Sequence, residues 1–342
     1  MSETPFRPKP NVSSLAVTAL IVGIASLLLA IFVIGALIAP IGIVLAIIAL
    51  VQIKKRPAEL AGKGLAVTGL VLSALTLVGI AISIPLVLMG QERDNRVRCA
   101  ANLRGIAMSM NVYAADQQDS FPVVPPSTPG TYFVASGGNS GEAAPEPAMN
   151  KIFQDRSGHG SVTACWWLLV LKNQVAPKTF LCRSDRTAGA PAAIANATSK
   201  FELDFANGNQ FSYSSAYPWV VSWDGSDMRS DRGGWWRNVT DSTLPIMSDI
   251  APKLDAVSGV HANSANHGSG TNVVFSDVHV EFAKHPEVGQ KGDNIWTHNK
   301  AGGPSSTGNI ITGGSVGTPF GTMDTPYDVI MVPIRDASGR TY

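Results

Sequence analysis

The chain has 342 residues, 45% of them apolar, and a formal charge of +1. That charge is unevenly split: residues 1–90 carry six basic and two acidic side chains, leaving 20 basic against 23 acidic for the rest. A C-terminal part this close to neutral lacks the basic face that phosphate backbones demand, which excludes a nucleic-acid partner, and three cysteines are too few for a disulfide framework.

Residues 1–12 read as a polar, cytoplasmic tail. Residues 15–53 then run without a charge. As one helix they would extend about 58 Å, far beyond a bilayer core of about 30 Å, so the chain must fold back. The stretch 35–42, with Gly35, Pro40 and Gly42, supplies the turn residues. Residues 13–63 are therefore predicted to form a two-span membrane hairpin, spanning at 14–34 and 38–53 and ending in a basic loop with Lys54, Lys55 and Arg56.

Residues 64–118 are predicted as one long helix. Its first part, 65–89, is uncharged for about 37 Å of helix, enough for a third span, and Pro85 inside it calls for a kink at most. Beyond it Val97, Ala100, Leu103, Ile106 or Ala107, Met110 and Tyr113 recur at three- and four-residue spacing, the stripe of an arm laid on a soluble domain. With Arg7, Lys9, Lys54, Lys55, Arg56 and Lys63 held inside, the third span carries residues 119–342 to the extracytoplasmic side of a bacterial inner membrane.

In that last part the run 160–172 (GSVTACWWLLVLK) reads as a short buried helix, and 211–223 and 244–250 as strands. Residues 271–282 (TNVVFSDVHVEF) read as two strands with Asp277 and Val278 at a two-residue turn, and 327–334 as a final strand. Short hairpin-linked strands after one long helix give an α+β class with an antiparallel sheet. Cys99, Cys165 and Cys182 are compatible with one disulfide or with three thiols.

Two resemblances follow from particular residues. The stretch 13–75, including SSLAVTALIVGIASLLL and GKGLAVTGLVL, resembles a small bacterial membrane module of unknown function. Further on, RCAANLRGIA (98–107), TFLCRSD (179–185, with Cys182) and NHGSGTNVVFSD (266–277) together resemble pilin-like proteins of the type II secretion pseudopilin kind. In the last of these, His267 and Asp277 fall in register with a C-terminal His-x9-Asp-Gly signature. The resemblance implies a long first helix on an antiparallel sheet and a structural role, without catalysis or cofactor. It implies as partners the lipid bilayer and other pilin-like or secretion components. Two departures stand out. The position after Lys63 and Gly64 matches a processing site, but the fifth residue beyond it is Gly69, and 65–89 holds no carboxylate to pair with a neighbour's new amine. The chain is therefore expected to stay uncleaved. Val278 replaces the signature glycine, and a turn of different geometry from type I′ is expected there.

Two other functions compete. His267, Asp277, His279 and Glu281 are residue types that ligate metals, which would suit a metal-dependent hydrolase; the plainer account has His267 and Asp277 bonding loop and turn backbone. Trp235 and Trp236, beside Gly233 and Gly234, are candidates for a glycan or peptide surface, against burial in the core. No nucleophile elbow, H-E-x-x-H or phosphate loop supports an enzyme.

Overall fold

An apolar stretch with few polar side chains must satisfy its backbone internally, and the N-terminal third does so as helices. These are α1 (Ser14–Leu29), α2 (Ile34–Lys55) and α3 (Lys63–Asp116). The computed structural model describes residues 11–29, 34–57, 60–124, 142–154, 161–195, 200–221, 228–232, 236–252, 263–298, 309–310, 329 and 331–335. The chain divides into two units, 1–91 and 92–342.

In the first unit, α2 and α3 are long and apolar enough to cross a membrane, whereas α1, with 16 residues, extends only about 24 Å. Pro40, expected at a turn, lies within α2 instead. A proline early in an apolar helix loses one backbone bond that neighbouring turns absorb. Close backbone approach holds α1 to α3: a Cβ at Gly23 would lie 2.8 Å from the Gly69 carbonyl oxygen, and one at Gly69 would lie 2.6 Å from that of Ala19. The hydroxyls of Ser26 and Thr76 meet nearby at 3.4 Å. Small residues allow this proximity where a larger side chain would force the helices apart.

The second unit contains the remainder of α3, α4 (Pro145–Gln154), α5 (Val162–Leu171) and an antiparallel sheet. Its strands are β1 (Tyr213–Ala216), β2 (Pro245–Asp249), β3 (Thr271–Phe275), β4 (Val280–Ala283) and β5 (Met331–Val332), in spatial order 5-1-2-3-4. The α3 arm buries Cys99, Leu103, Ile106, Ala107, Met110, Tyr113 and Ala114. Val97, assigned to this stripe from its spacing, is 64% exposed. Asn102 on the same arm donates to the Leu181 carbonyl and the Tyr213 hydroxyl, both at 3.2 Å.

Helix α5 is buried along its whole length, as its unbroken apolar run requires. Its first turn is capped by Ser161, whose Oγ accepts from the Ala164 N–H at 2.9 Å and donates to Asp204 Oδ2. Trp166 and Trp167 each find a partner for the indole N–H, Ser215 Oγ and the Glu202 carbonyl. Trp166 stacks on Phe180, and Phe205 and Phe211 meet its ring edge-on. Trp236 belongs to the core as well. It is 1% exposed, donates to the Pro122 carbonyl and packs against Phe121, so it offers no binding surface. Trp235 lies outside the described residues.

The β3–β4 hairpin differs from expectation by one residue. Phe275 N–H bonds the His279 carbonyl and Val278 N–H bonds the Phe275 carbonyl, so residues 276–278 form a three-residue connection. Such loops close on a residue in the left-handed region, and Val278 occupies it with φ 71°. The turn does have another geometry from type I′, but Val278 still takes the conformation that favours glycine.

Candidate functional site

The sheet face under the α3 arm carries a buried polar centre. Register pairs Tyr213 on β1 with Asp249 on β2, and Asn272 follows on β3, so all three share one face. Asp249 is fully buried. Its Oδ2 accepts from the backbone N–H of Asn272 at 2.6 Å and from Asn272 Nδ2 at 3.0 Å, while its Oδ1 has no hydrogen-bond partner. Burial pushes the carboxyl up to about 6, opposed by the charge of His267, by the two Asn272 hydrogen bonds and by the Asn266 side chain.

His267 enters from the segment before β3. Gly268 takes φ 61° immediately after it, and Gly270 faces the β4 backbone so closely that a Cβ would sit 2.6 Å from the Ala283 carbonyl oxygen. The two glycines turn the chain sharply enough to point the imidazole inward, where its side chain is wholly buried. Nδ1 lies 2.6 Å from Glu92 Oε1, and Nε2 lies 3.7 Å from Asp249 Oδ2 and 3.6 Å from Cys182 Sγ. Glu92 also accepts from Ser184 Oγ at 2.7 Å and faces Arg96 Nε at 3.4 Å. Burial raises the Glu92 carboxyl, but the hydrogen bonds from Ser184 and His267, the charge of His267 and the bond from Arg96 outweigh it and leave its pKa lowered.

A disulfide joins Cys99 on α3 to Cys182, with Cα atoms 5.6 Å apart, and Cys165 stays a buried free thiol. Together the ligand atoms of Cys99, Cys182, Asp249 and His267 lie within 4.8 Å of one another, all buried. Cys182 thus follows the turn Pro177–Phe180 directly into this centre. Asp185, three residues later, accepts from Thr187 and from Ser212 Oγ and holds the turn to β1.

Of the four residues first considered as metal ligands, only His267 belongs here. Asp277 and His279 pair with each other at the exposed hairpin, where Asp277 Oδ1 also accepts the His279 backbone N–H at 3.1 Å. His279 stacks on Phe275 and, with Glu281, Asp241 and Lys291, borders a separate open cleft of about 490 Å³. Asp277 therefore caps its own turn, whereas His267 bonds a carboxylate and not the turn backbone. Glu92, Asp249 and Cys99 stand in no metal-binding spacing with His267, so their order in the chain does not announce the site. The one available hint was Cys182 within TFLCRSD, a polar break after an apolar run.

Residues 15–83 match a family model described as a domain of unknown function (DUF4190), which covers α1, α2 and the apolar beginning of α3. No curated protein and no solved structure shows significant similarity to the chain.

Proposed function

We propose that this chain is a structural or assembly protein of the bacterial envelope, a pilin-like ectodomain on a three-span inner-membrane anchor that is not processed into a filament subunit. The observation that carries the reading is α3. It is a single 54-residue helix, uncharged over 65–89, whose charged second half supplies one wall of a core built on an antiparallel sheet. The absence of a carboxylate between residues 65 and 89 argues against a helix that docks by charge on a neighbour's amine. The bonds from Asn102 to Leu181 and Tyr213, together with the Cys99–Cys182 disulfide, fix the arm to the ectodomain as a rigid support. Partners in this reading are the bilayer and other envelope or secretion components, and no catalytic step is assigned.

Two measurements test it. Amino-terminal sequencing of protein extracted from membranes is expected to find no chain that begins at Leu65; a start at Leu65 refutes the unprocessed anchor. Met108 is 54% exposed on α3, so a Met108→Cys variant is expected to react with a membrane-impermeant maleimide added to intact cells. Reaction only after lysis refutes the extracytoplasmic placement. The ligand-binding alternative has lost Trp236 to the core and would rest on Trp235.

A further inference from the structure

The polar centre between α3 and the sheet gathers four side chains of the kinds that ligate metals, their ligand atoms within 4.8 Å of one another. Glu92 accepts only, so at the 2.6 Å contact His267 donates from Nδ1 and turns Nε2 toward the centre. Nε2 faces Asp249 Oδ2 at 3.7 Å and Cys182 Sγ at 3.6 Å. The second carboxylate oxygen, Asp249 Oδ1, is buried without a partner. A buried acceptor normally finds a compensating partner. The ligand atoms of Cys99, Cys182, Asp249 and His267 lie close enough together for one cation to supply it.

We propose that, when the Cys99–Cys182 disulfide is reduced, both cysteine sulfurs, His267 Nε2 and an Asp249 carboxylate oxygen hold one zinc ion. Four donors of the S, S, N, O kind suit the tetrahedral preference of zinc, and thiolates with imidazole disfavour calcium and magnesium. The surrounding groups are those that a metal-bound histidine and carboxylate require. Glu92 receives the Nδ1 proton and is itself held by Ser184 and Arg96. Asn272 holds the Asp249 carboxylate in place with two hydrogen bonds to Oδ2, the oxygen that faces His267 Nε2. The exchange balances. A dithiol reductant gives the protein two electrons and two protons and leaves as its own disulfide, and zinc then displaces the two thiol protons. Reoxidation by a small-molecule disulfide, which takes up the two electrons and two protons from solvent and leaves as two thiols, expels the metal, so disulfide and zinc are alternative cross-links of the same helix to the same loop. This inference stands on the site alone and is independent of the envelope role.

The full-length protein in detergent, reduced with a water-soluble phosphine and desalted after exposure to zinc chloride, is expected to carry one zinc per chain by elemental analysis. The oxidised protein is expected to carry less than a tenth of that. Cobalt in place of zinc is expected to show thiolate charge-transfer absorption and tetrahedral d–d bands. The near-isosteric Asp249→Asn and the variant His267→Ala should each weaken zinc binding at least tenfold, and Glu92→Gln about tenfold with the cobalt spectrum shifted. Tryptophan fluorescence of the oxidised variants checks that they fold. A reduced, folded wild type without stoichiometric zinc overturns the proposal. So does a reduced protein that unfolds and is not refolded by zinc, or zinc binding unchanged in both Asp249→Asn and His267→Ala.

Discussion

Replacing both Cys99 and Cys182 by alanine should lower the melting temperature of the second unit by about 9–18 °C. The two cysteines are 83 residues apart in sequence. Closing a loop of that length in the unfolded chain removes entropy equivalent to about 4.5 kcal/mol at 25 °C. For domains of 150–250 residues, each kcal/mol moves the midpoint by about 2–4 °C, which sets the range given. Alanine adds no bulk, and the Asn102 bonds to Leu181 and Tyr213 survive the change, so the loss is one of chain constraint more than of packing. All seven tryptophans lie beyond residue 91, so their fluorescence during a thermal ramp follows this unit without interference from the apolar helices. The melt is run on metal-free protein, and reduced wild type should coincide with the double variant. A drop of less than about 3 °C would refute the reasoning, because the arm would then be held by its apolar stripe regardless of the covalent tie.

Three further substitutions or reactions test individual features. Val278→Gly should raise the same midpoint, since removing the Cβ that strains a left-handed residue returns about 1–2 kcal/mol while glycine's extra unfolded-state freedom takes back about 0.5–1 kcal/mol; a lower midpoint would show that the partly buried valine side chain matters more. Gly270→Ala should cost about 2 kcal/mol, because its Cβ would meet the Phe282 ring at 2.5 Å and the Ala283 carbonyl at 2.6 Å, and urea titration reads the loss directly. Burial pushes the Cys165 thiol up to about 12, so iodoacetamide at pH 8 should modify it only in denaturant. The sign for stability follows: an unfolded thiol ionises near 9 while the folded one does not, so this group contributes nothing below pH 9 and destabilises the fold as pH climbs toward 12. Rapid labelling of native protein would contradict the burial of Cys165.

Residue order shows elements that repeat at a regular spacing or gather apolar residues in a run. The arm from Leu103 to Tyr113 announces itself by helical periodicity, and α5 and the strands Pro245–Asp249 and Thr271–Phe275 by compact runs of apolar residues buried along their whole length. Boundaries set by single residues were harder. Pro40 marks a turn in a water-exposed chain but is accommodated inside α2, and Val278 moved the hairpin connection from two residues to three. Trp236 follows a glycine pair and reads as a loop tip, yet Phe121 and the Pro122 carbonyl draw it into the core. The polar centre was the least legible part. Its members come from residues 92, 99, 182, 249 and 267, and only the register of β1, β2 and β3 under the arm brings them together. Asp249 ends a strand whose other residues look like ordinary core, so nothing local distinguishes its carboxylate from a turn cap.

The contact between Gly23 and Gly69 also decides how α3 can meet other molecules. That flank of the helix is spent on its own chain at backbone-to-backbone distance, and no second helix can fit between. Val71, Leu75, Val78 and Ile82 recur along one face at helical spacing, and each is at least 49% exposed. Further along, residues 81–90 are exposed on every side, with Ile82, Ile84, Leu86, Val87, Leu88 and Met89 each at least 52% exposed. A helix that meets α3 near Gly69 finds one flank closed by its own chain, whereas one that meets it at 81–90 can approach from any direction.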